Sequence, residues 1–328
     1  MRKYATFIIL INIVIIIQVI NIEKMSQYYN TKKLESFNNN NKIALITSVY
    51  GNYDGVKNQE NVKDRNLVDW YYFTDYKKRN IWDIISKPGN KPDQRYWNVI
   101  NKPYHILNTQ NDSKYFNLTN YYKNVNDTKT YAMMCAKYYK TQSHKIDILK
   151  KYQYFIWVDG SIFLRDKFIK NIMSLIDRNY SLINFKHSVR DNIKDEVKLT
   201  LETKKYKYQN ILGQYDAYSD FPDNVGLFEM GLSIRKNSFE INSLFDLWWE
   251  HNLKYSFQDQ ISYPYVLWKK NIMPDYVINE NIYHNKNYTY IDKALTTNHF
   301  IKYQYFVFPQ YVLFQQCVCC IVILIVSA

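Results

Sequence analysis

Along this 328-residue chain, short apolar runs alternate with stretches whose apolar positions recur every three or four residues. Residues 43–50 form the first run, rich in β-branched side chains, and it breaks at Gly51 into turn residues through Gly55. Residues 67–74 end in the same manner at Asp75, and residues 81–86 make a weaker third strand. Residues 87–128 are punctuated by Asn and Pro without a period and predict an insertion or a long surface excursion. From 130 to 141 the spacing of Ala132, Met133, Ala136 and Tyr139 predicts a helix; residues 152–158 then form a strand ending at Asp159. A helix over 167–178, a strand over 182–185 and a charged helical stretch near 191–208 follow. Residues 227–235 read as a strand with Gly231 inside it, and 239–255 as an amphipathic helix carrying Ile241, Leu244, Phe245, Leu247, Trp248 and Leu253. A further helix is expected to open with Ser256 as its N-cap, ahead of Asp259, and to carry Ile261, Tyr265 and Trp268. Strands alternating with helices predict an α/β domain with a mainly parallel sheet flanked by helices. In such a sheet ligands gather at the carboxyl ends of the strands.

The two ends have a different pattern. Residues 5–20 are apolar except for Thr6, Asn12 and Gln18, and they follow Arg2 and Lys3. Extended to Ile22, the segment reaches roughly 27 Å as a helix, close to a bilayer core. No small-residue cleavage site follows, so residues 1–22 are expected to be an uncleaved signal anchor rather than a signal peptide. The charge asymmetry places the N-terminus in the cytoplasm and the body in the lumen, a single-pass type II arrangement in Golgi or ER. Residues 23–41 read as a polar stem, 42–304 as one domain, and 305–328 as an apolar tail broken by Pro309 and three glutamines.

Composition narrows the classes. Lys and Arg number 43 against 30 for Asp and Glu, a formal net charge of +13. The abundant residues (Asn, Lys, Ile, Tyr) have A/T-rich codons, while Gly and Pro number seven each, so gene base composition accounts for the charge. No Arg-rich block stands out, and nucleic acid is not expected as a partner. The four cysteines, Cys135, Cys317, Cys319 and Cys320, make neither a disulfide framework nor a zinc pattern. Dinucleotide, Walker, zinc-protease and nucleophile-elbow signatures are all missing from the sequence.

What remains is three strand ends that finish in a carboxylate: Tyr53-Asp54, Thr74-Asp75 and Asp159-Gly160-Ser161. An Asp there is commonly a turn cap. The third is the sharpest, because a hard carboxylate after a fully apolar strand, with Gly allowing close backbone approach, suits Mg²⁺ or Mn²⁺ completed by diphosphate oxygens and water. His187 opens a mixed polar stretch with Arg190 and Glu196, which by itself reads as a solvated helix start.

These blocks occur in a recognisable order: residues 46–54, Phe73-Thr74-Asp75, Ala136-Lys137 with Lys140 and His144, residues 156–161, Lys186-His187 with Arg190 and Glu196, Gly226-Leu227 with Glu229, Gly231 and Arg235, Trp248-Trp249-Glu250, and residues 259–262. The order resembles the TOD/MUCI-type glycosyltransferase-like domain over residues 42–285 or so. The resemblance implies a GT-A-like (Rossmann-like) fold, a nucleotide sugar donor, UDP-linked by expectation, and a glycan or protein hydroxyl acceptor. By the same likeness Asp159 is the metal and diphosphate position, with His284 as a late second ligand for Mn²⁺ or Mg²⁺. Asp75 sits near the nucleoside and Tyr50 to Tyr53 near the base. Lys137, Lys186 and Arg190 pair with the diphosphate, and Gln260 with Asp259 faces the sugar. Asp259 or Glu229 is the candidate base or sugar-orienting carboxylate. Ser161 and Gln258 depart from the usual Asn and Arg. The rival expectations are a GT-A-like module that binds without transferring, and a lipid hydrolase.

Overall fold

The structure, a computed structural model, describes residues 42–51, 55–75, 96–101, 128–207, 209–222 and 225–290. The expected anchor, stem, tail, Tyr53 and the strand at 81–86 lie outside the described residues, and among these no helix is long and apolar enough to cross a membrane.

Seven strands form one sheet: β1 (Ile43–Val49), β2 (Asp69–Thr74), β3 (Asn98–Asn101), β4 (Tyr154–Val158), β6 (Leu182–Lys186), β7 (Phe228–Lys236) and β8 (Tyr276–Ile278), in the order β3-β2-β1-β4-β7-β6-β8. β5 (Phe163–Leu164) and β9 (Thr289–Tyr290) pair separately. Every pair in the large sheet is parallel except those of β7, which runs against β4 and β6. The mainly parallel sheet expected from the alternation of elements is therefore present. Its strands read as near-continuous apolar runs because both faces are covered. On one face Leu45, Ile156, Ile234 and Ile183 pack with Phe168, Ile169 and Ile172 of helix α2 (Phe168–Ile176). On the other, Ala44, Ile46, Phe155 and Trp157 pack with Met133 and Tyr139 of α1 (Thr128–Thr141). Further along that face lie α3 (Ile193–Glu202), α4 (Ile211–Ala217), α5 (Phe239–Lys254) and α6 (Asp259–Lys270), around Met230, Trp248 and Tyr263.

Two expectations need correction. The stretch 87–128 contributes β3 to the sheet edge, paired with β2 from Tyr71↔Asn98 to Thr74↔Asn101. Ser256 is not the cap of α6; Gln258 is, with extended backbone and no side-chain capping bond. The Ser256 hydroxyl instead donates to Gln214 Oε1 at 2.5 Å and accepts the Gln258 amide at 3.3 Å.

The β6–β7 register jumps between Asn184↔Ser233 and Phe185↔Glu229, leaving residues 230–232 of β7 bulged on that side. Because β7 enters at the edge where β4 and β6 leave, Glu229 and Gly231 come to the carboxyl edge of the parallel strands. Topology, not sequence proximity, unites them with Asp159.

A buried hydrogen-bond chain behind α6 makes an acid-sensitive element. Gln214 donates to the Tyr218 hydroxyl at 3.0 Å, and Tyr218, stacked on Tyr265 at 3.7 Å, is hydrogen-bonded to His251 Nδ1. Burial, then the charges of Lys254 and Lys269, pull the imidazole from 6.5 down to about 4. The unfolded imidazole takes up its proton first, so stability present above pH 6.5 is lost as pH falls toward 4. We expect this histidine to contribute about 1–3 kcal/mol of that loss, and His251→Gln to flatten the melting temperature against pH between 7 and 4.5; equal slopes in both proteins would exclude the imidazole as the origin.

Candidate functional site

The carboxyl ends of β1, β2 and β4 share one edge. β1 turns at Gly51, whose φ of 62° is left-handed and suits glycine, and the Gly51 amide donates to both Asp75 oxygens at 3.0 and 3.2 Å. β4 continues into Asp159, whose amide donates to the Gly231 carbonyl at 2.7 Å. Gly160 then passes so close to β1 that a Cβ would stand 3.0 Å from Val49 Cγ2, and its carbonyl accepts the Lys57 amide at 3.0 Å. The turn is held by packing and backbone bonds, while the Asp159 side chain stays 45% exposed.

Two polar clusters meet at this edge. In the first, Lys137 and Lys140 of α1 both donate to Asp259 Oδ2, Lys140 at 2.6 Å. Lys140 also approaches Asp159 Oδ1 to 3.9 Å, and that oxygen accepts the Trp157 indole N–H at 2.7 Å. Asp259 stands in the first turn of α6, where the helix dipole favours a carboxylate. Burial alone would raise its pKa, but the ammonium groups of Lys137 and then Lys140 more than offset this and hold it below the ordinary carboxylate value. Burial lowers the Lys137 ammonium to about 8, against the pull of Asp259. Asp259 Oδ1 is buried and has no hydrogen-bond partner among the described residues.

The second cluster surrounds Glu229, which is buried. Its Oε1 accepts the Ser188 hydroxyl at 3.3 Å and the Ser188 amide at 3.5 Å, and its Oε2 accepts the Tyr283 hydroxyl at 3.3 Å, with the Gln260 side chain nearby favouring the charged form. Burial raises its pKa, and the Ser188 amide, then the Tyr283 and Ser188 hydroxyls and the Gln260 side chain, only partly oppose the rise. His187 Nε2 lies 3.6 Å away, and its Nδ1 accepts the Val189 and Arg190 amides at 3.2 and 3.0 Å. Burial, helped by the Arg190 charge and opposed by Glu196, lowers the imidazole from 6.5 to about 4. Behind it the buried Glu196 binds Arg190 Nε at 2.5 Å and accepts from Gln258 Nε2 at 2.6 Å.

Asp159, Lys137, Asp259, Gln260 and Glu229 are thus brought together as expected of one site. Other expected members are placed differently. Arg190 is committed to Glu196, a buried carboxylate that needs a cation, rather than standing open to a diphosphate. The Tyr50 ring is 1% exposed and stacks on Tyr139, so it presents no face to a base. Lys186 ends β6 and is exposed, and Asp75 ties the β1 and β2 loops together. His284 is exposed and bridged to Tyr290, on a segment whose Ile282 side chain lies beside Gly231. No group of three His, Cys, Asp or Glu side chains able to hold a metal occurs among the described residues. Sequence reasoning quoted Trp157 and Lys140 among the ordered blocks without giving either a role, and it missed Ser188 and Tyr283. For Lys140 a signal existed: it continues the apolar stripe of Met133 and Ala136, and a lysine on a buried helix face needs an acid partner.

A family profile described as TOD1/MUCI70, glycosyltransferase-like domain, matches residues 126–296, more than half of the chain and all of both clusters. The chain belongs to this family. No curated protein matches this TOD1/MUCI70 chain. Among solved structures it is similar to the mannosyltransferase Ktr4p from S. cerevisiae, with 11% identity over 70% of this chain and 65% of that one, and a TM-score of 0.36. The chain therefore spans just under two thirds of the yeast protein's length. It is also similar to core-mannan synthase A from Aspergillus fumigatus in its Mn/GDP form (14% identity, 69% of each chain, TM-score 0.38). Mouse xyloside xylosyltransferase 1, apo form, is a third (9% identity, 73% of this chain, 84% of that one, TM-score 0.38).

The two aspartates should separate in a stability measurement. Asp259→Ala strands two buried ammonium groups and is expected to cost about 3–5 kcal/mol, whereas Asp159→Ala, at a half-exposed position, should cost less than about 1.5 kcal/mol. Urea unfolding of both variants checks this; equal losses would remove the distinction.

Proposed function

We propose that this chain is a metal-dependent glycosyltransferase of GT-A type, moving a hexosyl unit from a nucleotide diphosphate sugar, UDP-linked by our reading, to a glycan or protein hydroxyl. The observation that carries the reading is the meeting of Asp159, the Asp259–lysine cluster and Glu229 at one strand edge of a glycosyltransferase-like domain. In the same reading residues 1–22 anchor the chain in a Golgi or ER membrane with the domain in the lumen.

The chemistry of the donor set fits a divalent ion. Asp159 offers Oδ2, a hard oxygen with no partner among the described residues. Mg²⁺ and Mn²⁺ are commonly held by one or two carboxylates, with substrate phosphates and water filling the remaining positions. Asp159 would hold the ion, His284 being the second protein ligand in our reading, and the ion would supply charge neutralisation on the leaving diphosphate.

The other roles belong to side chains. Lys137, partly exposed, and Lys186, exposed, meet the diphosphate charge. Asp259, the sugar-orienting carboxylate in our reading, is held charged by Lys137 and Lys140. Ser188 and Tyr283 orient Glu229, whose raised pKa suits a base that takes the acceptor proton near neutral pH, and Gln260 faces the sugar in our reading. The acceptor oxygen bonds to the anomeric carbon as the bond from that carbon to the diphosphate oxygen breaks. The proton goes to the base, and the nucleoside diphosphate leaves with the bonding pair.

The full-length chain, purified in mild detergent, should release nucleoside diphosphate from at least one of a panel of nucleotide sugars, only with Mn²⁺ or Mg²⁺. Asp159→Ala should abolish release, and Glu229→Gln should lower kcat by about 10²–10⁴-fold with little change in donor KM. Donor binding without turnover would favour a sugar-nucleotide-binding module instead. If no donor shifts the melting temperature and none is consumed, the reading fails.

A further inference from the structure

Lys140 has no place in the chemistry above, yet it is the most enclosed charge at this edge. Its side chain is 1% exposed, with Nζ 2.6 Å from Asp259 Oδ2 and 3.9 Å from Asp159 Oδ1. The rings of Trp157 and Trp248 lie 5.6 and 5.7 Å from it, as cation–π neighbours. It is a cation fixed in place by a buried carboxylate and two aromatic faces. Lys137, sharing the same Asp259 oxygen, is 19% exposed. Of the two lysines, then, Lys137 keeps some contact with solvent and Lys140 is locked inside.

A locked positive charge next to the half-exposed Asp159 has a consequence of definite sign. It partly neutralises that carboxylate and repels a second cation at the same oxygens, at a range where Coulomb energies remain large in a partly buried site. A diphosphate brings negative charge that reverses the balance. Resting on the donor-site reading above, we infer that Lys140 makes divalent-metal binding at Asp159 conditional on the nucleoside diphosphate. The bare ion is held weakly, and the ion together with the diphosphate is held well. Lys140 is then a positioning residue that acts through Asp159 and Asp259. Thermodynamic reciprocity requires metal and diphosphate to strengthen each other by the same factor. The order of loading follows: the metal enters with the donor and leaves with the spent diphosphate, instead of residing in the empty protein.

The test measures Mn²⁺ binding to the full-length chain by the electron paramagnetic resonance of the free ion, with and without UDP or GDP, after correction for complexes formed in solution. In the wild-type chain one of these nucleotides should tighten Mn²⁺ by at least about tenfold. Lys140→Met and Lys140→Gln should bind bare Mn²⁺ about tenfold more tightly than wild type and lose most of the nucleotide dependence, whereas Lys140→Arg keeps both wild-type features. Circular dichroism of each variant verifies folding, and the Met and Gln forms together guard against loss of either one. If wild type shows coupling but the neutral variants bind bare Mn²⁺ no more tightly, the Lys140 inference is overturned and the donor-site reading stands. Equal Mn²⁺ affinity with and without nucleotide in wild type overturns the inference without any variant. If wild type binds neither nucleotide nor metal, the donor-site reading falls and takes this inference with it.

Discussion

The shared ion pair of Asp259 with Lys137 and Lys140 is the constraint on which the site depends. Three charges taken from water cost several kcal/mol each, and their mutual attraction repays that only when all three are present in good geometry. The two lysines are three residues apart and so lie on one face of α1. Asp259 lies in the first turn of α6, so the cluster fastens one helix to the other above the strand end of β4. Lys140 extends the same cluster to Asp159, and Trp157 pins the other approach to that carboxylate. A shift of any of these elements breaks a buried ion pair, so the edge has little freedom to rearrange.

Against that fixed cluster stands a carboxylate of opposite character. Asp259 is held charged by two cations, while Glu229, buried among neutral donors, is pushed toward protonation. Carboxylates whose surroundings drive their pKa values apart are suited to different tasks in one reaction, an electrostatic anchor and a proton acceptor. The difference comes from topology. Among the described strands of the main sheet β7 alone runs against its neighbours, and its bulge sets Glu229 opposite Phe185 instead of continuing the register beyond Ser233.

The fold was largely legible because its strands are covered on both faces and so appear as unbroken apolar runs ending in polar turns. β3 was not legible: four residues with Asn at each end, paired on one side only among the described strands, carry neither an apolar run nor an alternation to find. Ser256 misled because a hydroxyl before a helix signals a cap only if no stronger partner competes, and here Gln214 takes its proton. Asp159, Glu229, Asp259 and Gln260 were named through the order of short blocks, and the structure places them at one edge. Their partners were not, since which lysine is buried and which arginine is spent on a carboxylate are decided by packing. Arg190 illustrates this. It reads as a free cation in the sequence, yet Glu196, fully enclosed on α3, claims it.

The way one helix terminus serves both clusters follows from helix geometry. Successive residues point about 100° apart around a helix axis, so Gln258, Asp259 and Gln260 diverge to three partners: Glu196, the lysine pair and Glu229. Gln258 does this from the cap position, where its backbone is still extended and its buried amide also accepts the Tyr206 hydroxyl at 2.9 Å. Pro264, inside the same helix, has no amide to donate to the Gln260 carbonyl four residues earlier. Three adjacent residues at the start of α6 therefore bring together the buried Glu196–Arg190 ion pair, the lysine–aspartate cluster and the neighbourhood of the Glu229 carboxylate. Moving the helix start by a single residue would turn each of these side chains toward the wrong partner, so the extended cap at Gln258, rather than any one charge, sets the register of the site.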